Sequence, residues 1–127
     1  MNRILLIFAL LFAAAASTDP VFRHADGSVT IDTSTLRTRD GYNGPTPLLI
    51  YLDSDERISK IEVLPNDESP AYWQMVEEKL STAWNGVPAD QVRTFRVDAV
   101  SGATFSSYAF ISNVRAGIAC YLDSKQQ

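Results

Sequence analysis

The sequence holds one cysteine and one histidine in 127 residues. A lone thiol cannot close an internal disulfide. Cys120, between Ile118 and Tyr121 in an apolar stretch, is expected to be a small buried hydrophobe, since no second cysteine is present to resolve a redox thiol. His24 has no cysteine or second histidine near it, so it is expected at the surface, and metal-ligand spacing is absent. Positive charge is also scarce: 11 Lys and Arg against 15 Asp and Glu leave a formal net charge of −4. Such a chain repels phosphate backbones, and nucleic-acid binding is disfavoured. There is no G-x-S-x-G nucleophile elbow, no internal repeat and no low-complexity segment.

Uninterrupted apolar stretches are short, with one exception. Ile4 to Ala16 runs for 13 residues behind Arg3, and Ala14 and Ala16 supply an A-x-A cleavage site. A spanning helix needs roughly 20 apolar residues, so the run reads as a secretory signal peptide over 1–17. No cysteine follows it to accept a lipid. The mature chain is thus expected outside the cytoplasm, in the periplasm or on the extracytoplasmic face of the membrane. The remainder has an ordinary globular balance, 46% hydrophobic and 20% charged over the whole chain, and its length allows one small domain. We divide it into an N-terminal lead with a possible short strand (18–39), a domain (40–122) and a polar tail (123–127).

Ser28 to Ile31 alternates and predicts a short strand, and Thr33 to Arg39 is ambiguous. Asp40 to Pro45 is dense in turn residues. Leu48 to Leu52 and Ile58 to Leu64 predict a hairpin across the polar connection Asp53 to Arg57. Ser69 reads as a helix N-cap with Pro70 at the first helical position. Tyr72, Val76, Leu80 and Ala83 or Trp84 then mark an apolar face, closed by Asn85-Gly86. By the same spacing Trp73, Met75 and Trp84 read as core or rim rather than a cofactor box. Val92 to Val100 alternates and predicts a strand. From about Ser106 to Leu122 a second helix carries Phe110, Ile111, Val114, Ile118, Tyr121 and Leu122 as its stripe. An early hairpin and two helices without βαβ alternation define an α+β domain, a small antiparallel sheet with two main helices packed against it.

The chemistry is expected where the predicted strand meets the second helix, at Ser101-Gly102-Ala103-Thr104. A helix start presents unpaired N–H groups and the positive end of the dipole, which suits a phosphate. Gly102 allows close backbone approach, Ala103 is small, and Thr104, Ser106 and Ser107 add hydroxyls. Composition and spacing alone favour an N-cap with surface hydroxyls over a phosphate site.

Asp98-Ala99-Val100-Ser101-Gly102-Ala103-Thr104 resembles the attachment motif of the FMN-binding domain family. That family includes the C subunit of the sodium-pumping NADH:quinone reductase and the G subunit of the Rnf complex. Asp40-Gly41-Tyr42-Asn43-Gly44 before an apolar strand resembles the family's opening turn. Ile58 to Leu64 followed by Glu68-Ser69-Pro70-Ala71 resembles its strand and Glu-Thr-Pro-Gly turn, with Ser and Ala departing from the common pattern. The resemblance runs from about Asp40 to Leu122.

The resemblance implies FMN joined through its phosphate to Thr104 by a phosphoester, made from FAD by a flavin transferase, with Ser106 or Ser107 as the alternative acceptor. Ser101, Gly102, Ala103 and the hydroxyls of Ser106 and Ser107 would surround the phosphate. Asp98 would assist attachment or bind the transferase's metal; on turn chemistry alone it is a strand-end carboxylate bonded to the turn. Tyr42, Tyr72 and Trp73 could pack on the flavin ring, and Glu68 could bond its polar edge; each could equally be structural. The function implied is an exported electron carrier rather than a self-sufficient enzyme, working with redox partner proteins that could be membrane-bound. Two other readings stand beside it: a non-covalent binding module for FMN or another phosphorylated ligand, and a cofactor-free interaction domain of the same fold.

Overall fold

A computed structural model describes residues 19–126; the apolar run expected to be a signal peptide lies outside them. Four strands form one sheet in the order β1 (Val21–Arg23), β2 (Val29–Asp32), β3 (Leu48–Leu52) and β4 (Ile58–Val63). Every neighbouring pair is antiparallel. The register places Val21 opposite Ile31, Ile31 opposite Ile50, and Ile50 opposite Ile61. Side chains alternate across a strand, so these four share one face, and all are buried. Along β3, Leu48, Ile50 and Leu52 point inward, while Leu49 and Tyr51 are half-buried on the other face.

Two helices cover the buried face, α1 (Pro70–Leu80) and α2 (Thr104–Ser124), with a 3₁₀ helix at Ala89–Thr94 between them. α2 touches α1, the 3₁₀ helix and three of the strands, and so spans the sheet. It is anchored by a buried polar link. The Thr33 hydroxyl donates to Asn113 Oδ1 at 2.7 Å, and the Asn113 amide donates back to the Ala109 carbonyl at 2.9 Å. Phe110 sits at the centre of the core, its ring centroid 6.0 Å from both Trp84, which it stacks on, and Trp73. Both tryptophans are buried, and neither indole N–H has a partner among the described residues.

The α+β architecture is as the pattern predicts, with corrections inside it. β1 forms within the polar lead, because Val21 and Val29 bury against the core even though their neighbours are solvated. Residues 92–100 are not a strand. The outer edge of β4 is already taken at its start: Ile58 N–H donates to Val87 O at 3.0 Å and Gly86 N–H to Ile58 O at 2.7 Å. The chain then enters the 3₁₀ helix from Pro88, and beyond Phe95 it pairs with none of the four strands.

α1 is rotated from its predicted face. Trp73, Val76 and Leu80 are buried, and Tyr72 is 53% exposed. It ends at Leu80, and turns follow before Gly86 takes the expected left-handed conformation at φ +82°. Pro70 holds the first helical position, but the Ser69 hydroxyl makes no cap bond. α2 begins at Thr104, two residues earlier than expected, and takes in Asp123 and Ser124 from the predicted tail. Cys120 is half-buried rather than buried; desolvation, with Asp19 and Asp123 nearby, raises its pKa and keeps the thiol protonated. His24 is exposed as expected, its Nε2 hydrogen-bonded to the Thr30 hydroxyl at 2.7 Å.

Candidate functional site

The first turn of α2 lacks a cap. Its N-cap residue is Ala103, at φ −136° and ψ 49°, with no side chain bonded to the helix start and no acidic residue in the first turn. Alanine is among the poorest N-caps. A helix of 21 residues therefore points its dipole and its orphan first-turn N–H groups outward without a protein anion or hydroxyl to satisfy them. The surface N-cap that spacing favoured is not what the hydroxyls form.

The motif hydroxyls divide into two sets. Ser107 is fully buried; its hydroxyl donates to the Ala103 carbonyl at 2.7 Å and accepts from the Val100 N–H at 2.9 Å. It braces the turn from inside. Ser106 is 5% exposed and donates to Glu68 Oε1 at 2.6 Å. Ser101 and Thr104 are exposed and their hydroxyls are unengaged, and of the two only Thr104 lines the adjoining cleft.

Glu68 is the buried pivot of the site, 6% exposed. Oε1 also accepts from the Tyr42 N–H at 2.9 Å, and Oε2 accepts from the Asn43 N–H at 2.6 Å. Three of the roughly four acceptor positions of its carboxylate are thereby filled. Its oxygens serve the chain's own donors, and the residue does not line the adjoining cleft. The fit demands glycine at position 41: a Cβ there would lie 2.1 Å from Oε1. The opening turn and the first turn of α2 are thus sewn together through one carboxylate from the loop before α1.

These three segments enclose a cleft of about 410 Å³. Its floor and lip are Gly102, Ala103, Thr104 and Ser106, with Asn43 and Ser69 alongside. Aromatic rings make its walls: Tyr42 is 77% exposed, Phe105 57% and Tyr72 53%. Tyr42 and Phe105 meet edge to face with centroids 6.1 Å apart. Gly102 lies at φ +85°, with open space where a side chain would project. The cleft falls within the range of roughly 300–1,000 Å³ usual for ligand pockets.

The structure therefore brings Tyr42, Glu68, Gly102, Ala103, Thr104 and Ser106 together. Ser101 stands at the outer side of the turn, and Trp73 points into the core rather than the cleft. Asp98 is exposed and does not line the cleft; it makes no hydrogen bond, so the turn-bonded carboxylate expected from turn chemistry does not form. Phe105, Asn43 and Ser69 also line the cleft, and none of the three is among the site residues expected from the sequence. Phe105 had a readable signal: it is a large apolar residue at a helix start that falls off the stripe running through Phe110 and Val114. Among the described residues no cluster of metal-ligating side chains occurs.

An apolar, aromatic-walled cleft ending on an uncapped helix start defines a binding domain for a flat ring that carries an anionic group. The chain belongs to the FMN-binding domain family, whose model matches residues 41–119. A search among curated proteins finds no match. FMN fits the donor set: first-turn N–H groups for its phosphate, and Tyr42, Tyr72 and Phe105 for its ring.

Proposed function

We propose that this chain carries FMN attached through its phosphate to Thr104 and serves as an electron-transfer module outside the cytoplasm. The observation that carries the choice of residue is the division of the hydroxyls. Ser106 and Ser107 are buried and committed, whereas Thr104 is exposed, unengaged and on the lip of the cleft. The uncapped N–H groups of the first turn would hold the phosphate, and Gly102 leaves room for it. FMN, when bound, supplies the redox chemistry, and the protein supplies position and electrostatics. The walls of Tyr42, Tyr72 and Phe105 would seat the ring and shed water from one side of it.

The apolar run Ile4 to Ala16 supports export. A covalent tether would retain the cofactor where no cytosolic pool replaces it. No helix among the described residues is long and apolar enough to cross a membrane. A flavin transferase would load the chain from FAD, and redox partner proteins, soluble or membrane-bound, would exchange electrons with it.

The test is a denaturing gel. The chain is produced with a flavin transferase, denatured in SDS and viewed for flavin fluorescence. A fluorescent band that is absent in Thr104→Ala and retained in Ser106→Ala is the expected result. Flavin released on denaturation would make the module a non-covalent one, and a colourless chain would leave a cofactor-free interaction domain.

A further inference from the structure

A second cleft, of about 450 Å³, shares no residue with the first. Its walls are Arg93 and Thr94 from the 3₁₀ helix, Arg96, Val97 and Asp98 from the segment after it, and Arg115 from α2. Three guanidinium groups face one carboxylate in a chain whose net charge is −4. Among the described residues the ion pairs lie elsewhere, at Lys60–Glu62 and Lys125–Glu56, so the three arginines are uncompensated. All three are exposed.

The backbone beside them is uncompensated too. From Arg96 to Ala99 no N–H or carbonyl has a hydrogen-bond partner among the described residues. A run of free backbone groups flanked by arginines offers a partner both ladder bonds and bidentate carboxylate sites.

The position relates this ground to the proposed flavin site. Arg115 lies 11 residues beyond Thr104 on α2. At about 1.5 Å and 100° per residue, it stands about 16 Å along the helix and only about 20° around it. Thr104 and Arg115 therefore lie on the same side of α2, and a body seated on the arginines is brought close to the first cleft.

We propose that Arg93, Arg96 and Arg115, with the unpaired backbone of residues 96–99, form the docking surface for an acidic electron-carrier protein. This rests on reading the chain as an electron-transfer module. A shallow charged surface beside the cofactor cleft suits a partner that must arrive quickly and leave again. A small anion would need deeper burial than this open cleft gives.

The test uses a flavodoxin of net negative charge as the acidic carrier, titrated into the chain with and without flavin. Affinity is expected to fall roughly tenfold between about 20 mM and about 200 mM NaCl. The whole-chain charge predicts the reverse, because salt screens repulsion between two acidic proteins. The triple variant Arg93→Glu/Arg96→Glu/Arg115→Glu should lose low-salt binding by about tenfold or more while its flavin attachment is unchanged. The corresponding Gln variant serves if the reversal impairs folding.

Binding that is absent at low salt, that strengthens with salt, or that survives the triple substitution overturns the proposal. So does a variant impaired only in flavin attachment, which would assign the cleft to the transferase, and so does displacement of the carrier by inorganic pyrophosphate at comparable concentration. A chain that docks the carrier yet never takes up flavin keeps this surface and loses the function proposed above.

Discussion

Ser106 donates its hydroxyl to Glu68 at 2.6 Å, joining the first turn of α2 to a residue 38 positions earlier in the chain. The same carboxylate oxygen holds the backbone of Tyr42. One buried side chain thus sets both the helix start and the aromatic wall of the cleft. Its removal should be felt in stability and in binding together.

Glu68→Gln replaces one acceptor oxygen with a donor facing a donor. Hydrogen bonds to a charged group contribute about 1.5–3 kcal/mol each, and a domain of this size loses about 4–8 °C of Tm per kcal/mol. A thermal melt should show a drop of several degrees, with faster hydrogen exchange at the Tyr42 and Asn43 amides. An unchanged melt and unchanged exchange would mean that the carboxylate does not clamp the turn.

Gly41→Ala should act through Glu68, since the added Cβ would lie 2.1 Å from its carboxylate. In the Glu68→Ala background that obstacle is gone. A double-mutant cycle should therefore give a coupling of about 0.5–3 kcal/mol, with Gly41→Ala costing less in the second background. Additive costs would show that the two residues do not meet.

Ser107→Ala and Thr104→Ala should separate stability from loading. Loss of the Ser107 hydroxyl leaves the Val100 N–H without its partner, at about 1–3 kcal/mol for a buried donor. Denaturant unfolding should show Ser107→Ala destabilised with its flavin band retained. Thr104→Ala should show the opposite, because its hydroxyl is exposed and unengaged. A stable, unlabelled Ser107→Ala would transfer the acceptor role to that serine.

Acid should reveal the contact at the far end of α2. The Lys125 ammonium, first, and then the Tyr121 hydroxyl hold the Glu56 carboxyl below its usual range. A depressed folded value means that the contribution is whole above the unfolded value and disappears as pH falls through the folded one. Wild type should melt above Glu56→Gln at pH 7, and the gap should close once the pH has fallen below the ordinary glutamate range. The gap is expected to be small, since Glu56 lies at the surface. A gap that widens in acid would contradict the contact.

The sheet strands and both helices were legible wherever burial follows a simple period. β3 alternates along its length, and Phe110, Ile111, Val114, Ile118 and Tyr121 recur at helical spacing. Two readings went astray for reasons outside local pattern. Residues 92–100 alternate like a strand but join no ladder, and it is 86–89 that bond to the start of β4 instead. Tyr72 and Trp73 are adjacent and both large, and only the position of Phe110 decides which turns inward. The commitment of the Ser106 and Ser107 hydroxyls depends on Glu68 and on the fold of the turn, neither of which spacing reveals. The family was legible through the resemblance of residues 98–104, and the structure added which of their hydroxyls remain unengaged.

The pairing of both tryptophans with Phe110 gives the molecule its own optical gauge. The chain has two tryptophans, and each is packed on the same phenyl ring. Intrinsic indole emission therefore reports one place, the junction of α1, α2 and the turn before the 3₁₀ helix, and should change in a single step when that junction opens. Trp73 also follows Tyr72, a wall of the first cleft. Unlabelled protein can thus signal both the opening of its core and the arrival of an absorbing ring beside α1.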